Sequence, residues 1–537
     1  MLIMVNLVSP LYVVLIMLAC SAARLLLKKR LKLPPGPPGL PVLGNALQIP
    51  TTQAWKTFAD WGKLYGPVAF AEVLGRPMII VNSITVARDL MERKGASFSD
   101  RPEIPVLEMI GWGVTLPLLQ YGSAQQRKQR RLMQEYLGPS AIRSFDCVLE
   151  KRVRKFLERL LVSPDDFHKD SLGHVASIIL EAVYGHEVSC KPSDDPLIRV
   201  NEEAAKLIVA TGNIGSTIID LFPFLRHLPA WLPGMGLKRK ILQARDAFSL
   251  AFTLPFEEAK SRKDSGAANP ALLYKVSDKY KTTSDFNSQE EEDIKTFSGT
   301  FYLSGTETVC LINRLQYARF LSNAFIETAT ALTAFFLMMV HNQEVQKRAQ
   351  EEIDRTIGLD RLPLLNDRAS LPFIDCLIKE VLRIHPPAPL GLPHQSTPRD
   401  EHCRWDIPGK SMVIPNIWHM MKDEEIFIDP EKFNPDRHLT RSGGKRSDDT
   451  TLHDPVASVF GFGRRVCPGR AFAESVMWIT MANVLAAFDI TPWRDPFTGE
   501  EVLPIAECES DIVNAIKPFK CRIVPRKGRV VQIVRDN

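Results

Sequence analysis

The chain has 537 residues, of which 45% are hydrophobic and 24% are charged, and its formal net charge is +5. This is the composition of a globular protein long enough to bury a large core, and so small a net charge gives no indication of nucleic-acid binding. The nine cysteines are an odd number without CxxC pairs. They argue against a disulfide framework or a zinc module and favour a reducing environment.

The first segment, residues 1–27, is almost wholly apolar and is followed by the basic run KKRLK, residues 28–32. Roughly 20 apolar residues suffice to cross a bilayer, and positive charge directly after the span keeps that side in the cytoplasm. A buried helix would show an amphipathic stripe, which is absent. We predict a single transmembrane anchor at 1–27, with a cleaved signal peptide as the alternative.

The next segment, residues 28–50, is basic at its start and then rich in proline, as in LPPGPPGLPVLGN at 33–45. Proline fixes φ and donates no backbone hydrogen bond, so this stretch can be neither a helix nor a central strand. We predict a stiff hinge here, followed by one globular body at residues 51–537.

The pattern within the body is mainly helical. The sequence AFAEVLGRPMIIVNS, residues 69–83, alternates around a Gly-Arg pair and predicts a β-hairpin. From about Ile84 to Phe256 helical periodicity dominates. After Pro386 the chain is rich in loops, with short strands such as SMVIPN, before a long helix from Arg470. The fold class predicted is mainly α (α+β), with a helical body and small β-sheets.

The stretch FGFGRRVCPGR, residues 460–470, places Cys467 between glycines, with arginines before it and a helix after it. A helix N-terminus stabilises a thiolate, glycines let a flat partner approach the backbone, and arginines neutralise carboxylates. Together these features suit haem b with Cys467 as the axial iron ligand. A structural cysteine in a turn is the commoner role for a lone cysteine, but it does not explain the Gly-x-Arg-x-Cys-x-Gly spacing.

The same stretch resembles the signature of the cytochrome P-450 family of haem-thiolate monooxygenases, Phe-x-x-Gly-x-Arg-x-Cys-x-Gly. Its fixed positions are occupied by Phe460, Gly463, Arg465, Cys467 and Gly469. The resemblance covers nearly the whole chain, including an anchor and hinge like those of microsomal members. It is nearest in character to fungal members that tailor small natural products, and it implies the cytochrome P-450 fold.

A second motif supports the resemblance. KEVLRIHPP supplies the family's Glu-x-x-Arg as Glu380 and Arg383, and FNPDRHL supplies the later Arg437. The resemblance implies that these three residues form a buried charge network, since buried charges are tolerated only when they are paired. An isolated Glu-x-x-Arg would otherwise be an ordinary surface pair on a helix.

The sequence SGTET, residues 304–308, resembles the family's oxygen-activation motif, Ala/Ser-Gly-x-Asp/Glu-Thr. The resemblance implies a helix across the haem in which Glu307 and Thr308 relay the protons that dioxygen activation requires. Without the cysteine signature, such a Glu-Thr pair would more simply face solvent.

The resemblance also implies partners for the haem propionates. In YGSAQQRKQRR, residues 121–131, Gln126 stands in place of the family's usual tryptophan, and Arg130 in place of its arginine. Because glutamine can still donate a hydrogen bond, we expect weaker haem binding rather than none. His394 stands where the family often has another propionate partner, although a surface histidine is an equally good interpretation.

The implied reaction is the hydroxylation or epoxidation of a lipophilic small molecule, such as a terpenoid or another secondary metabolite. The chain shows no GxGxxG unit of its own, so electrons would come from NADPH through NADPH-cytochrome P-450 reductase. The basic run QRKQRR with Arg464 and Arg465 could receive that reductase. The expected location is the endoplasmic reticulum membrane, in contact with lipid, with a cytosolic body and no nucleic-acid partner.

Substrate contacts are expected from four apolar segments, residues 102–120, 205–236, 297–304 and 388–393. Some haem-thiolate relatives instead isomerise peroxides without dioxygen or a reductase, and these often lack the acid–alcohol pair. That isomerase is the alternative enzyme class.

The segment 309–327 fits neither half of the predicted active-site helix. Without it the chain reads SGTETTATALTAFF, which resembles the family's helix without a gap. As helix it would add roughly 28 Å and a rotation of about 100°, and no Gly or Pro marks it as a loop. We predict a retained intron, since the codons of Val309 and Cys310 can open with GT. The alternatives are a real insertion in an active enzyme, or a mis-spliced and inactive chain.

Overall fold

The computed structural model describes residues 31–50, 52–188, 191–211, 217–283, 287–306, 327–439, 453–507 and 514–526, with residues 532 and 534. These residues form a mainly helical body with three small sheets, as the sequence predicts. The predicted anchor at 1–27 lies outside them. Among the helices of these residues, none combines the length and the hydropathy needed to cross a bilayer.

The α-helices that precede residue 309 surround one side of the body. They are α1 Ala54–Tyr65, α2 Ile84–Arg88, α3 Pro105–Ile110, α4 Ala124–Leu137, α5 Asp146–Val162, α6 Phe167–Tyr184, α7 Pro196–Ala210, α8 Ile218–Leu221, α9 Gly236–Asp264, α10 Leu272–Thr283 and α11 Ser288–Thr306. Helix α6 is buried along most of its length, so it is the central helix of this half.

The α-helices after residue 326 include the most apolar of the chain. They are α12 Glu327–His341, α13 Gln343–Ile357, α14 Pro372–Ile384, α15 Ile417–Met420, α16 Val456–Val459 and α17 Arg470–Ala487. Short 3₁₀ turns lie between the helices, at Trp112–Val114, Ile142–Phe145, Pro164–Asp166, Pro192–Asp194, Pro223–His227, Leu365–Ser370, Pro435–His438 and Gly463–Arg465, and a π-helical turn lies at Asp89–Arg93.

The sheets are small and stand at the edges of the helical body. Their strands are β1 Val68–Val73, β2 Arg76–Val81, β3 His394–Gln395, β4 Asp400–His402, β5 Trp405–Ile407, β6 Met412–Pro415, β7 Phe488–Arg494, β8 Glu501–Val502 and β9 Cys521–Pro525. The first sheet has the order β1-β2-β6-β3, in which only β2 and β6 are parallel. The other two sheets, β4-β5 and β8-β7-β9, are antiparallel.

The predicted hairpin and the strand in SMVIPN are confirmed. Val68 pairs with Val81 in β1 and β2, and the turn between these strands uses Leu74 and Gly75, both at positive φ. That is the backbone of a two-residue turn whose twist matches the strands. The turn lies one residue before the Gly-Arg pair that marks it in the sequence.

Helix α17 forms the centre of the core. Its sequence is apolar almost all round, as expected of a helix that is covered on every side, and Trp478 is fully buried. It packs against α5, α12, α13 and α14. Because α17 begins three residues after Cys467, the cysteine is held at the end of a deeply buried helix.

The described part of the predicted hinge is fastened to the body. The Phe70 amide donates to the carbonyl of Pro35 at 2.9 Å, and the Asn45 amide donates to the carbonyl of Glu72 at 2.6 Å. At its start, the Lys32 amide donates to the Asp406 carboxylate at 2.7 Å. From residue 32 onwards, the proline-rich segment therefore lies against the sheets rather than bridging a gap.

The predicted charge network is present and includes a residue that the motif does not indicate. Arg383 donates to both oxygens of Glu380 at 2.9 Å, Arg437 donates to one oxygen at 3.0 Å, and His438 Nε2 lies 2.9 Å from the other. Glu380 and Arg383 are fully buried. Burial opposes ionisation of Glu380, but bonds from His438 and Arg383 outweigh it and lower its pKa to about 2. The network joins α14 to the Pro435–His438 turn.

Candidate active site

The loop before α17 presents Cys467 through a tight backbone path. The Cys467 amide donates to the carbonyl of Phe460 at 2.8 Å, which closes the loop. Gly461 and Gly463 lie at φ values of 85° and 55°, where residues with a side chain are disfavoured. A Cβ on Gly463 would also collide with the carbonyl oxygen of Met91. The signature glycine is thus required where the loop touches the Asp89–Arg93 turn.

The cysteine stands at the start of a long helix. Gly469 is the N-cap of α17, which begins at Arg470, and the free amides at such an end favour a thiolate. A Cβ on Gly469 would lie 3.9 Å from Cys467 Sγ. Glycine at this position therefore keeps one side of the sulfur open to a flat partner.

Cys467 faces a large cavity at the centre of the body. Its walls come from helices α4, α6, α11, α12 and α17 and from the segments around Leu116, Gly391 and Phe460. The cavity has about 1410 Å³ of empty space, including its mouth. That figure includes open solvent, and the lining joins Cys467 to apolar side chains such as Phe301 and Val476 in one cavity.

Three arginines line the cavity, and each is bonded to backbone carbonyls. Arg465 donates to Ser99 and Leu119, and Arg130 donates to Val466 at 2.6 Å. The third, Arg101, is only 4% exposed.

Arg101 donates to the carbonyls of Pro117, Leu392 and Pro393. Within the part of the chain that the structure describes, none of the three arginines has a carboxylate in salt-bridge contact. Arg101 and Arg465 are buried and Arg130 is half-buried, and the charge of Asp100 offsets only part of the effect of burial on Arg101 and Arg465. Buried charges that are not fully paired are costly.

The pKa values of these arginines follow from the same arrangement. Burial, followed by repulsion from Arg465, holds the pKa of Arg101 well below its usual range. Burial also lowers the pKa of Arg465 to about 10. Burial lowers the pKa of Arg130, and the neighbouring Cys467 partly offsets it. An anion bound in the cavity would favour the charged form of all three arginines and raise their pKa values.

His394 and Gln126, which the sequence predicts as haem-binding residues, both line this cavity, and both are buried. His394 is 3% exposed, so the alternative of a surface histidine is wrong. Its Nδ1 lies 2.7 Å from the carbonyl of Phe98, and this bond leaves Nε2 for the cavity. Burial and the charge of Arg101 hold the pKa of His394 well below its usual range. The Oε1 atom of Gln126 accepts from the Gly122 amide at 3.4 Å.

The remaining walls are apolar and aromatic. The Phe472 ring of α17 meets Phe301 of α11 edge-on at 5.2 Å and Phe145 at 5.4 Å. Three of the four segments predicted to contact substrate reach the cavity, through Leu116, Phe301 and Ala388 among others.

The fourth segment, Ala205–Gly236, contributes none of its described residues to the cavity. In this respect the prediction is not supported, because its large apolar side chains, such as Phe224 and Trp231, are turned outwards and exposed.

The predicted catalytic pair, Glu307 and Thr308, lies outside the described residues. The described part of the cavity wall includes Ser304 of α11 and Thr328 of α12. Sequence reasoning missed Arg101 and His438. An Arg-Pro pair on a loop and a histidine beside Arg437 are too common in sequences to mark either residue.

The Cytochrome P-450 family model matches residues 34–311 and 314–521. The chain belongs to the cytochrome P-450 family. Its relatives include cytochrome P-450 monooxygenase 176 of Postia placenta, which is 33% identical over 510 residues that cover 95% of this chain and 93% of that protein. Cytochrome P-450 monooxygenase 136 of the same fungus is 35% identical, with coverages of 94% and 91%.

A third relative comes from another fungus. Cytochrome P-450 monooxygenase claR of Ampulloclitocybe clavipes is 34% identical, over 94% of this chain and 89% of that protein. The chain is thus a cytochrome P-450 monooxygenase, and the family implies a haem-iron cofactor.

The residues around the cavity fit haem. Cys467 supplies a sulfur ligand at a helix N-terminus, and Gly469 leaves room beside it. Arg101, Arg130 and Arg465 line the cavity as cations whose charge nearby acids only partly offset, so they suit the two carboxylates of the haem propionates. These three arginines would hold the propionates while Cys467 binds the iron.

Proposed function

We propose that this cytochrome P-450 inserts one oxygen atom into a C–H bond or a double bond of a lipophilic small molecule. The observation that carries the proposal is that Cys467, three arginines and an apolar wall all line one cavity. The arginines suit an anionic cofactor, and the apolar wall suits a neutral substrate. A terpenoid or another fungal secondary metabolite is the substrate class that we propose.

The chain's own residues have distinct roles in this proposal. Bound haem would supply dioxygen activation and oxygen transfer. Cys467 donates electron density to the iron, and Phe301 and Phe472 exclude water from the place where substrate lies. Glu307 and Thr308 remain the proposed proton relay. If they have that role, the monooxygenase is favoured over an isomerase that consumes peroxides.

Electrons are proposed to come from NADPH through a separate reductase. Arg127, Arg131 and Arg464 are exposed, whereas Arg130 and Arg465 are turned towards the cavity. The outward arginines could therefore receive an acidic partner while the inward ones hold haem. We further propose that residues 1–27 anchor the protein in the endoplasmic reticulum membrane with the body in the cytosol, based on the apolar run and KKRLK.

The test of the proposed chemistry is the carbon monoxide difference spectrum of the reduced protein. The wild type should show a thiolate-type band, and Cys467→Ser should abolish it. Cys521→Ser is a suitable control, because Cys521 is a buried cysteine that lies in β9 and not in the cavity lining. A wild-type protein that binds no haem would overturn the proposal. Turnover of a hydroperoxide without NADPH, unchanged in Thr308→Ala, would instead establish the isomerase.

We also propose that the segment 309–327 is absent from the active enzyme. Ser304 and Thr328 line the same cavity, and α11 and α12 both pack on α6. A continuous helix would separate these two residues by about 36 Å, whereas removal of the segment would leave about 7.5 Å. The two matched segments of the family model also meet within it, between residues 311 and 314.

A further inference from the structure

The hairpin formed by β4 and β5 carries an exposed cysteine at its tip. His402 pairs with Trp405, and the two residues between them, Cys403 and Arg404, make the turn. Cys403 is exposed, whereas His402 is only 8% exposed. The hairpin belongs to none of the walls of the central cavity, so this thiol is separate from the site of Cys467.

The thiol of Cys403 does not stand alone. Its Sγ lies 3.6 Å from His402 Nε2, and His402 Nδ1 lies 2.9 Å from Asp89 Oδ2. An ionised carboxylate can only accept hydrogen bonds, so Nδ1 carries a hydrogen and Nε2 is the ring nitrogen that faces the sulfur. Cysteine, histidine and aspartate thus follow the order of nucleophile, base and orienting group.

The position of the cysteine in the turn is unusual. Its φ is 55°, in the left-handed region, where a two-residue hairpin turn normally has Gly, Asn or Asp. The hairpin thus keeps a cysteine where backbone geometry favours other residues. Because Leu74 shows the same departure in the β1–β2 turn, the contact between the Cys403 sulfur and His402 is what distinguishes this cysteine.

The charges around the thiol are balanced. Asp89 Oδ1 lies 4.0 Å from a guanidinium nitrogen of Arg93, and Lys94 Nζ lies 3.0 Å from Asp400 Oδ1. Glu401 and Arg404 are exposed beside the cysteine, and the Arg404 guanidinium stands over the Trp405 ring. Three acidic side chains therefore lie near the thiol together with three basic ones. It is the placed imidazole, and not an excess of positive charge, that distinguishes this cysteine from other exposed ones.

We propose that Cys403 is a reactive surface thiol that undergoes exchange with low-molecular-weight disulfides. His402 takes the S–H proton, and the sulfur attacks one sulfur of the disulfide. A bond forms between Cys403 and that sulfur as the original S–S bond breaks. The other half leaves as a thiolate and receives the proton from His402. The disulfide is the only oxidant, and the reaction requires neither haem nor a reductase.

The test uses the full haem-loaded chain with glutathione disulfide at neutral pH, and follows the mixed disulfide at each cysteine by mass spectrometry of peptides. Cys147 is the internal reference, because it is also exposed but lies on α5. Cys403 should react on the order of ten times faster than Cys147. Cys403→Ser should remove that adduct and leave the haem spectrum unchanged.

Two variants separate the role of the histidine from that of exposure. His402→Gln can still donate to Asp89 but removes the base, so the rate at Cys403 should fall to that of Cys147 and its pH profile should move to higher pH. Asp89→Asn should give an intermediate rate. The haem spectrum of each variant shows whether the body is intact. Equal rates at Cys403 and Cys147 in the wild type, or a wild-type rate in His402→Gln, would overturn the proposal.

Discussion

Two walls of the central cavity are built in different ways. The wall at Cys467 comes from one continuous stretch, residues 460–470, whose loop is closed by the bond from Cys467 to Phe460 and by glycine turns, and whose Arg465 reaches Ser99 and Leu119. The wall at Ser304 and Thr328 comes from two helices, α11 and α12, which both pack on α6. The first wall is therefore specified by a short motif, whereas the second depends on the length of chain between two helices.

This difference has a practical consequence for how each wall can fail. The cysteine wall should tolerate changes elsewhere in the chain as long as the structures that support its loop remain intact. The helical wall should be sensitive to insertion or deletion, since each residue added to a helix shifts all later residues by 1.5 Å and turns them by 100°. Changes at one wall should therefore leave the other intact, and they can be tested separately.

The largest effect is expected when the charge network behind the cysteine wall is broken. Glu380→Ala would leave Arg383, Arg437 and His438 buried without their common acceptor. Removing one member of a buried ion pair costs about 3–5 kcal/mol. We expect a correspondingly lower free energy of unfolding and little protein that retains haem, as measured by denaturant unfolding and by haem content.

The matched control for that change is Glu203→Ala. Glu203 and Lys206 form an exposed pair with the same spacing along a helix, and such pairs contribute roughly 0–1 kcal/mol. If the two variants were equally destabilised, the Glu380 network would have no special role in supporting the cysteine wall.

The next effect concerns the helical wall. Deletion of residues 309–327 should join α11 to α12 in the family's register, and both haem content and turnover should rise. A misplacement of about 1 Å can cost 100-fold in rate, so a gain of that order is expected under saturating reductase.

A partial deletion of residues 309–318 would leave nine extra residues, and therefore a rotation of about 180°, so it should not restore activity. Sequencing of native transcripts provides an independent check. Mature messages that retain codons 309–327 would contradict the proposal that the segment is an intron.

A smaller effect is expected from the arginines. Arg101→Met removes one of the buried cations that we assign to the haem propionates, and charge-assisted hydrogen bonds contribute about 1.5–3 kcal/mol. Haem should therefore dissociate roughly tenfold faster or more, as measured by transfer to apomyoglobin. Arg127→Met changes an exposed arginine near Gly122 and should leave the rate unchanged. Equal rates in both variants would show that Arg101 does not hold haem.

The smallest effect is expected at Gln126. Gln126→Trp restores the residue that the family usually has at this position, and its indole N–H would give the cavity a donor. One neutral hydrogen bond contributes about 0.5–1.5 kcal/mol, so haem should dissociate a few times more slowly. Gln126→Leu, which removes the amide, should have the opposite effect. Faster loss of haem from the tryptophan variant would mean that the cavity has adapted to the smaller side chain.

The same division separates the features that the sequence predicts from those that it does not. The hairpin at β1 and β2, the helix from Arg470 and the Cys467 loop are local features, and patterns of a few residues predict them. Arg101 and His438 are missed because their positions depend on packing between distant segments. The apolar character of residues 205–236 leads to the prediction that they line the cavity, but Phe224 and Trp231 face outwards. Apolar composition alone does not indicate whether a side chain faces the cavity or the solvent.

The fastening of residues 32–45 changes what the prolines do mechanically. The hydrogen bonds from Lys32 to Asp406 and from Phe70 to Pro35 remove the rotational freedom that a free linker would have. These prolines are fixed to the body, and any flexible point between the body and a preceding segment must lie before Lys32. The orientational freedom of the body relative to a preceding segment is thus set by a few residues, and a force applied there would be carried directly into the sheets.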